Sequence, residues 1–261
     1  VVIGVAAIRV MAALAALAGT SLACAESTVA PTRVDDAAGS VTAISHWQIQ
    51  SSAKAQESGA EISAAGFSTI GWYPVSGRAT VMAGLLENGK YANVFYGDNL
   101  RAVEEPDASG TMFVIPWWYR TEFAVGEGAP GVRTLLRING MIPSADVWLN
   151  GNLIAERATV AGAYPVHEID VTRWLHAGTN TLALRVHPGD PRTSLSIGWV
   201  DWNPTPPDNN MGPWRGVDIV RTGPIEILSP QVASTLSLPA LARAALTVKV
   251  EARNLDALAH E

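Results

Sequence analysis

Trp199-Val200-Asp201-Trp202 sets one carboxylate between two indoles and runs directly into Asn-Pro-Thr-Pro-Pro-Asp at 203–208. Prolines already restrict the unfolded chain, so a loop this rich in them loses little entropy on ordering. A stiff loop carrying Trp199, Asp201 and Trp202 is suited to grip a polar ligand that has an apolar face. The carboxylate accepts hydroxyl hydrogen bonds, and an indole covers C–H groups. A sugar ring offers both features. A turn with core tryptophans and a solvated aspartate would use the same residues, and this stretch alone does not separate the two readings. Asn99, at the end of the polar, aromatic run Tyr91–Asn99, is a second candidate contact, although loop asparagines commonly bond their own backbone instead.

Catalysis by this chain alone finds little support. Glycosidic hydrolysis needs two carboxyl groups facing each other across the scissile bond. Asp201 and Asp208 are near in sequence, but a proline-rich loop separates them and nothing in the sequence marks a partner with a raised pKa. Neither a Gly-x-Ser-x-Gly elbow nor a complete Gly-x-x-x-x-Gly-Lys-Ser/Thr phosphate loop occurs, since Tyr91 follows Gly84–Lys90. The single cysteine, Cys24, excludes an internal disulfide, and His46, His167, His176, His187 and His260 are scattered without the spacing of a metal pair. No metal and no cofactor is expected. Eighteen Lys and Arg against 24 Asp and Glu give a net charge of −6, which together with the absence of a basic run argues against nucleic acid or an anionic membrane as partner. Nine Trp against four Phe is a ratio often met in carbohydrate-handling proteins. These residues are expected to contribute to a site that another domain completes.

The chain of 261 residues must position that loop. Residues 1–25 hold Arg9, an apolar run Val10–Leu17 and an Ala23-Cys24-Ala25 end, the pattern of a signal peptide cleaved after Ala25. A transmembrane anchor and a lipidated Cys24 are the other readings of this leader, although the run after Arg9 is short for a span. Each takes the protein out of the cytoplasm, to a secreted or periplasmic location, and no membrane span is expected in the mature chain. Residues 26–44, rich in Ala, Ser and Thr, read as a poorly ordered linker, with order starting near His46. Strand patterns follow at Trp72–Val75, Met112–Ile115, Trp117–Val125, Val132–Asn139 and Thr181–His187, the last expected at the centre of a sheet. Ala79–Glu87 has helical periodicity and stops at Gly89. Asn150-Gly151 supplies the two positive-φ positions of a type I′ hairpin turn within Ala145–Ile154. Asp170 caps one helical turn through Trp174 and Leu175, which Gly178 ends. Strands without alternating long helices point to an all-β antiparallel sandwich, a jelly roll over 45–224. Ile225–Leu228 and Leu246–Ala252 then open another sandwich that 225–261 does not complete, two strands being too few for a stable domain.

The motifs Trp118-Tyr119-Arg120-x-x-Phe123, Ala145-Asp146-Val147-Trp148-Leu149-Asn150-Gly151, Gly162-Ala163-Tyr164, Asp170-Val171-Thr172, Gly178-x-Asn180-x-Leu182 and Pro213-Trp214-Arg215-Gly216-Val217 occur in this order. The set resembles the N-terminal sugar-binding domain of glycoside hydrolase family two. Leu85–Tyr91, and Gly198–Trp202 through Asn210–Gly212, look most like the exo-β-D-glucosaminidases that trim chitosan. The resemblance implies a galactose-binding-like jelly roll, then the start of an immunoglobulin-like sandwich, with the catalytic (β/α)8 barrel absent from this chain. It therefore implies no catalytic residue here. It assigns Trp199 and Asp201 to the barrel's glycone pocket, places Trp202 near them and carries Asn99 over more weakly. The partners it implies are chitosan oligomers or other β-linked glycosides and the missing barrel of the same protein. A β-mannosidase-type glycosidase and a stand-alone carbohydrate-binding module are the alternatives, because the sequence does not fix the sugar.

Overall fold

The computed structural model describes residues 30–104, 112–190, 192–194 and 205–256. The leader, Trp199, Asp201, Trp202 and residues 257–261 lie outside the described residues. Fourteen strands follow one another: β1 (Thr32–Arg33), β2 (Val41–Ala43), β3 (His46–Ser51), β4 (Tyr73–Ser76), β5 (Trp117–Val125), β6 (Arg133–Ile138), β7 (Met141–Leu149), β8 (Asn152–Ala155), β9 (Ala161–Gly162), β10 (His167–Asp170), β11 (Gly178–His187), β12 (Val217–Thr222), β13 (Ile225–Leu236) and β14 (Ala244–Asn254). Three short helices interrupt them: α1 (Gly59–Ile62), α2 (Val81–Glu87) and α3 (Asn99–Glu104).

Period-2 alternation decides which side of each strand meets the core. In the register of β5, β11 and β7, Tyr119, Leu184 and Val147 lie side by side facing inward, and Trp118, Arg185 and Asp146 face outward. An eight-stranded sheet of order β4-β3-β5-β11-β7-β8, joined by β1 and β9, packs on a four-stranded sheet of order β10-β6-β12-β2. Trp47, Ile49, Tyr119 and Phe123 from the large sheet and Leu136, Ile138 and Ile219 from the small one share one core. Trp47 meets Tyr119 edge-on at 6.1 Å between ring centroids, a favoured aromatic geometry. On the outer face of the large sheet, Ile62 of α1 joins Trp118 and Ala183 in a smaller cluster backed by Phe67, Trp72 and Trp148. Arg120 fixes α1 there, donating from Nε to the Ile62 carbonyl at 2.9 Å and from Nη2 to Glu122 at 2.6 Å. Among the described residues, no helix is long and apolar enough to cross a membrane.

The all-β jelly-roll reading holds, and β11 is central, with β5 on one side and β7 on the other. Asn150 and Gly151 adopt φ of 49° and 82°, as a type I′ turn requires. α2 starts after Thr80, whose hydroxyl accepts the Ala83 N–H, and stops before Gly89 at φ 64°. Two expectations fail. The described part of the 26–44 linker is structured: β1 pairs in parallel with β5 beyond the end of β3, and β2 pairs with β12. Val34 and Ile44 are buried, and Arg221 bonds Asp36 at 2.8 Å. Strands of two and three residues are too short to show a period, so order begins before His46. Met112–Ile115 is a turn and not a strand; the Met112 carbonyl accepts the Trp117 indole N–H at 2.7 Å.

β13 and β14 form a separate two-stranded ribbon with one bulge between Leu228 and Gln231. Its apolar side is open: Ile227, Val232, Leu246, Val248 and Val250 are 55–66% exposed.

Candidate functional site

The segment that carries Trp199, Asp201 and Trp202 is held at both roots, and both roots are described. The first leaves β11 at His187. His187 Nε2 lies 2.7 Å from Asp146 Oδ2, and Asp146 Oδ1 accepts the Arg157 amide at 2.8 Å. Gly189 then packs so closely on Pro143 that an added Cβ would sit 2.9 Å from its ring. Asp190 closes a turn. Its carboxylate accepts the Arg192 amide at 2.9 Å and pairs with the Arg192 guanidinium at 3.1 Å, which holds its pKa below the usual value, and its carbonyl accepts the Ser194 N–H at 2.7 Å.

The second root runs from Thr205 to Trp214 and is fastened to α2. Asp208 is 2% exposed; its Oδ2 accepts the Met82 amide at 2.7 Å and its Oδ1 the Asn210 amide at 2.9 Å. It thus satisfies a first-turn donor of α2, a helix with no acidic residue of its own in that turn. Burial pushes the Asp208 carboxyl up, against the lowering effect of the Met82 and Asn210 hydrogen bonds. The Tyr119 hydroxyl donates to Ala79 O at 3.2 Å, and burial, followed by the Asp208 charge, raises its pKa well above the ordinary value. Val81 N donates to Met211 O at 2.8 Å, and Ile142 and Gly212 exchange two backbone hydrogen bonds of 3.1 and 2.8 Å. Pro143 therefore receives one root and Ile142 the other, so adjacent residues of β7 hold both ends of the loop.

Asp208 has the raised pKa that the sequence did not reveal, yet both its oxygens are occupied by backbone amides in the interior. It is an anchor and not half of a catalytic pair. Asn99 opens α3; its Nδ2 donates to Asn93 O at 2.8 Å, the local bonding that competes with a ligand role. Phe95 and Tyr96 beside it are 93% and 75% exposed. Asn99 is not brought against either root by any described contact, and Trp199, Asp201 and Trp202 remain outside the described residues. Sequence reasoning missed the Asp208–α2 and His187–Asp146 pairs. The first spans 126 residues and leaves no local signal; the second follows only from knowing that β7 and β11 are neighbours. Among the described residues, no group of three or more His, Cys, Asp or Glu is placed to hold a metal ion.

The motifs shared with other proteins are mostly structural here. Asn150 Nδ2 donates to Asn180 Oδ1 at 2.7 Å and to Trp174 O at 2.9 Å, while its Oδ1 accepts the Thr181 amide at 2.9 Å. Trp214 donates its indole N–H to Ala163 O at 2.8 Å and meets Tyr164 edge-on at 5.8 Å, joining Gly162-Ala163-Tyr164 to Pro213-Trp214-Arg215.

Residues 47–193 match the family model described as glycosyl hydrolase 2 galactose-binding domain-like. The exo-β-D-glucosaminidase of Streptomyces avermitilis is 45% identical over 224 residues, which are 86% of this chain and 24% of the relative. The crystal structure of the Amycolatopsis orientalis exo-chitosanase superposes with a TM-score of 0.75 at 46% identity, covering 84% of this chain and 25% of that one. The mannosylglycoprotein endo-β-mannosidase of Lilium longiflorum is more distant, 27% identical over 186 residues, 63% of this chain and 19% of the relative. The chain thus spans about a quarter of the length of the first two relatives. With more than half its residues matched, this chain belongs to the glycosyl hydrolase 2 galactose-binding domain-like family.

Proposed function

We propose that this chain is the N-terminal, non-catalytic part of an exported exo-β-D-glucosaminidase and supplies contacts to the terminal sugar. The longer protein hydrolyses terminal β-1,4-linked glucosamine from chitosan oligomers with retention, its two catalytic acids lying on a later domain. The observation that carries this reading is the seating of both roots of the 190–211 segment on Ile142 and Pro143. A loop with fixed roots can offer an aspartate and two indoles to a ligand at low entropic cost. Asp201 accepts sugar hydroxyls, Trp199 and Trp202 cover apolar ring faces, and Asn99 of the aromatic segment adds a polar contact. Export through the 1–25 leader, whether by cleavage after Ala25 or lipidation of Cys24, fits a polymeric substrate met outside the cell.

The weaker likeness to a mannosidase ranks that alternative second. The open apolar face of β13–β14 weighs against a stand-alone binding module. The test is Asp201→Ala in the full-length enzyme. Losing a carboxylate that bonds sugar hydroxyls costs about 1.5–3 kcal/mol, or roughly ten- to a hundredfold in kcat/KM on chitosan oligomers, with the fold intact. Kinetics equal to wild type would remove Asp201 from the site.

A further inference from the structure

We propose that Arg137, Glu168, Glu226 and Arg253 form an electrostatic lock that fixes the β13–β14 ribbon on the sandwich and so acts as a set of positioning residues for the rest of the longer protein. Arg137 and Glu168 are register partners across β6 and β10, with Arg137 Nε 2.8 Å from Glu168 Oε1. Glu226 and Arg253 are register partners across β13 and β14 and are directly bonded. The two pairs also engage each other. Arg253 Nη2 donates to Glu168 Oε2 at 2.6 Å, and Arg137 Nη2 lies 3.6 Å from Glu226 Oε1. Charge alternates round this ring of four, and each group touches two of opposite sign. Side-chain exposures of 25% for Arg137, 12% for Glu168, 6% for Glu226 and 38% for Arg253 withdraw most of the ring from solvent screening.

Among the described residues, apolar burial adds little to hold the ribbon. Glu226 is the one buried residue of β13, and β14 has none, so apolar burial does not fasten these strands to the sandwich. The covalent joint is Gly223-Pro224, and the space beside Gly223 is open. Gly223 leaves this two-residue joint a pivot that Pro224 alone does not fix; the ring fixes the ribbon's direction. In a longer protein whose later domains follow this ribbon, its pose sets where they meet the loop between β11 and β12. That last step rests on the glycosidase reading, whereas the lock does not.

The test swaps one rung in the full-length protein, Glu226→Arg with Arg253→Glu. Each sheet keeps an internal ion pair, but like charges now meet at both contacts across the joint. Swapping the other rung as well, Arg137→Glu with Glu168→Arg, restores opposite charges. Spin labels at Ala158→Cys and Thr247→Cys, both exposed positions, with Cys24→Ser where the leader is retained, report the distance across the joint. The single-rung swap is expected to broaden the distance distribution and raise KM for chitosan oligomers at least about fivefold, with kcat within about twofold. The two-rung swap is expected to return both. Should the single-rung protein fail to fold, Arg253→Gln, which leaves Arg137 to both glutamates, is expected to broaden the distribution part of the way. A single-rung or Arg253→Gln distribution equal to wild type overturns the lock, and broadened distances with unchanged KM overturn its positioning role. If distances respond as expected while even the wild-type protein leaves chitosan oligomers intact, the lock stands and the glycosidase reading falls.

Discussion

Asp208→Ala removes the acceptor that ties the second root of the loop to α2 and the acceptor that closes its own turn. The Met82 amide, on a residue only 6% exposed, and the partly buried Asn210 amide are left without partners. An orphaned buried amide costs about 1–3 kcal/mol, and the more accessible Asn210 should fall at the low end, so the loss is roughly 2–4 kcal/mol. Opposing it is relief from burying a charge, since burial raises this carboxyl's pKa. The amides should win, because removing one partner of a buried polar pair leaves the other uncompensated in the interior. For a domain of this size the melting temperature should drop by about 4–16 °C, read by thermal denaturation followed by near-UV circular dichroism. Asp208→Asn keeps one acceptor oxygen and should cost about half as much. The pH dependence provides a second check. A carboxyl whose folded pKa lies above its unfolded value binds its proton more tightly when folded. Its contribution to stability therefore falls as pH rises from the unfolded pKa through the folded one, and levels off above it. Wild type should gain on Asp208→Asn as pH falls through that window. An alanine variant melting within about 1 °C of wild type, or a gap to the asparagine variant that shrinks on acidification, would refute the anchor.

Asn150→Ala should destabilise by about 2–4 kcal/mol, because it strands the Thr181 amide and Asn180 and places a Cβ residue without a side-chain acceptor at φ 49°; urea midpoints measure it, and a midpoint unchanged within error would separate the hairpin turn from the Asn180 contact. Gly212→Ala would drive a Cβ to 2.6 Å from the Tyr119 hydroxyl and 2.8 Å from Ala79 O at φ 142°, a loss of about 3 kcal/mol or more. Adding Tyr119→Phe should recover part of that loss, and a double variant no more stable than the single one would count against the hydroxyl contact as its cause.

Much of the sandwich was legible because its long strands obey a period. Trp117–Val125 read correctly from its β-branched and aromatic residues and the alternation within it, Thr181–His187 from alternation, and Asn150-Gly151 gave the hairpin from turn stereochemistry. Failures fell where no period can exist. β1 and β2 are two and three residues long and are specified by the edges of β5 and β12 that they complete, so Thr32–Arg33 and Val41–Ala43 looked like linker. Met112–Ile115 has strand composition, but its carbonyl at Met112 is claimed by the Trp117 indole, which bends the chain. Tertiary partners decided both cases.

For the candidate site, residue type was legible and environment was not. Asp201 and Asp208 are two aspartates in one proline-rich loop, and sequence offers no way to tell a ligand contact from an anchor. The structure separates the roles through burial: Asp208 is enclosed, with both oxygens on amides of α2 and its own turn. A carboxylate so buried is out of a sugar's reach, so Asp208 is not a ligand contact. The fastening of α2 explains why that helix matters to a loop more than a hundred residues away. Loosening Asp208 would weaken the Val81–Met211 bond and the Gly212–Ile142 pairing next to it. On the proposed function, anchoring falls to Asp208 and sugar contact to Asp201. Asp208 variants should therefore shift melting temperature, and Asp201 variants should shift kcat/KM while the fold persists.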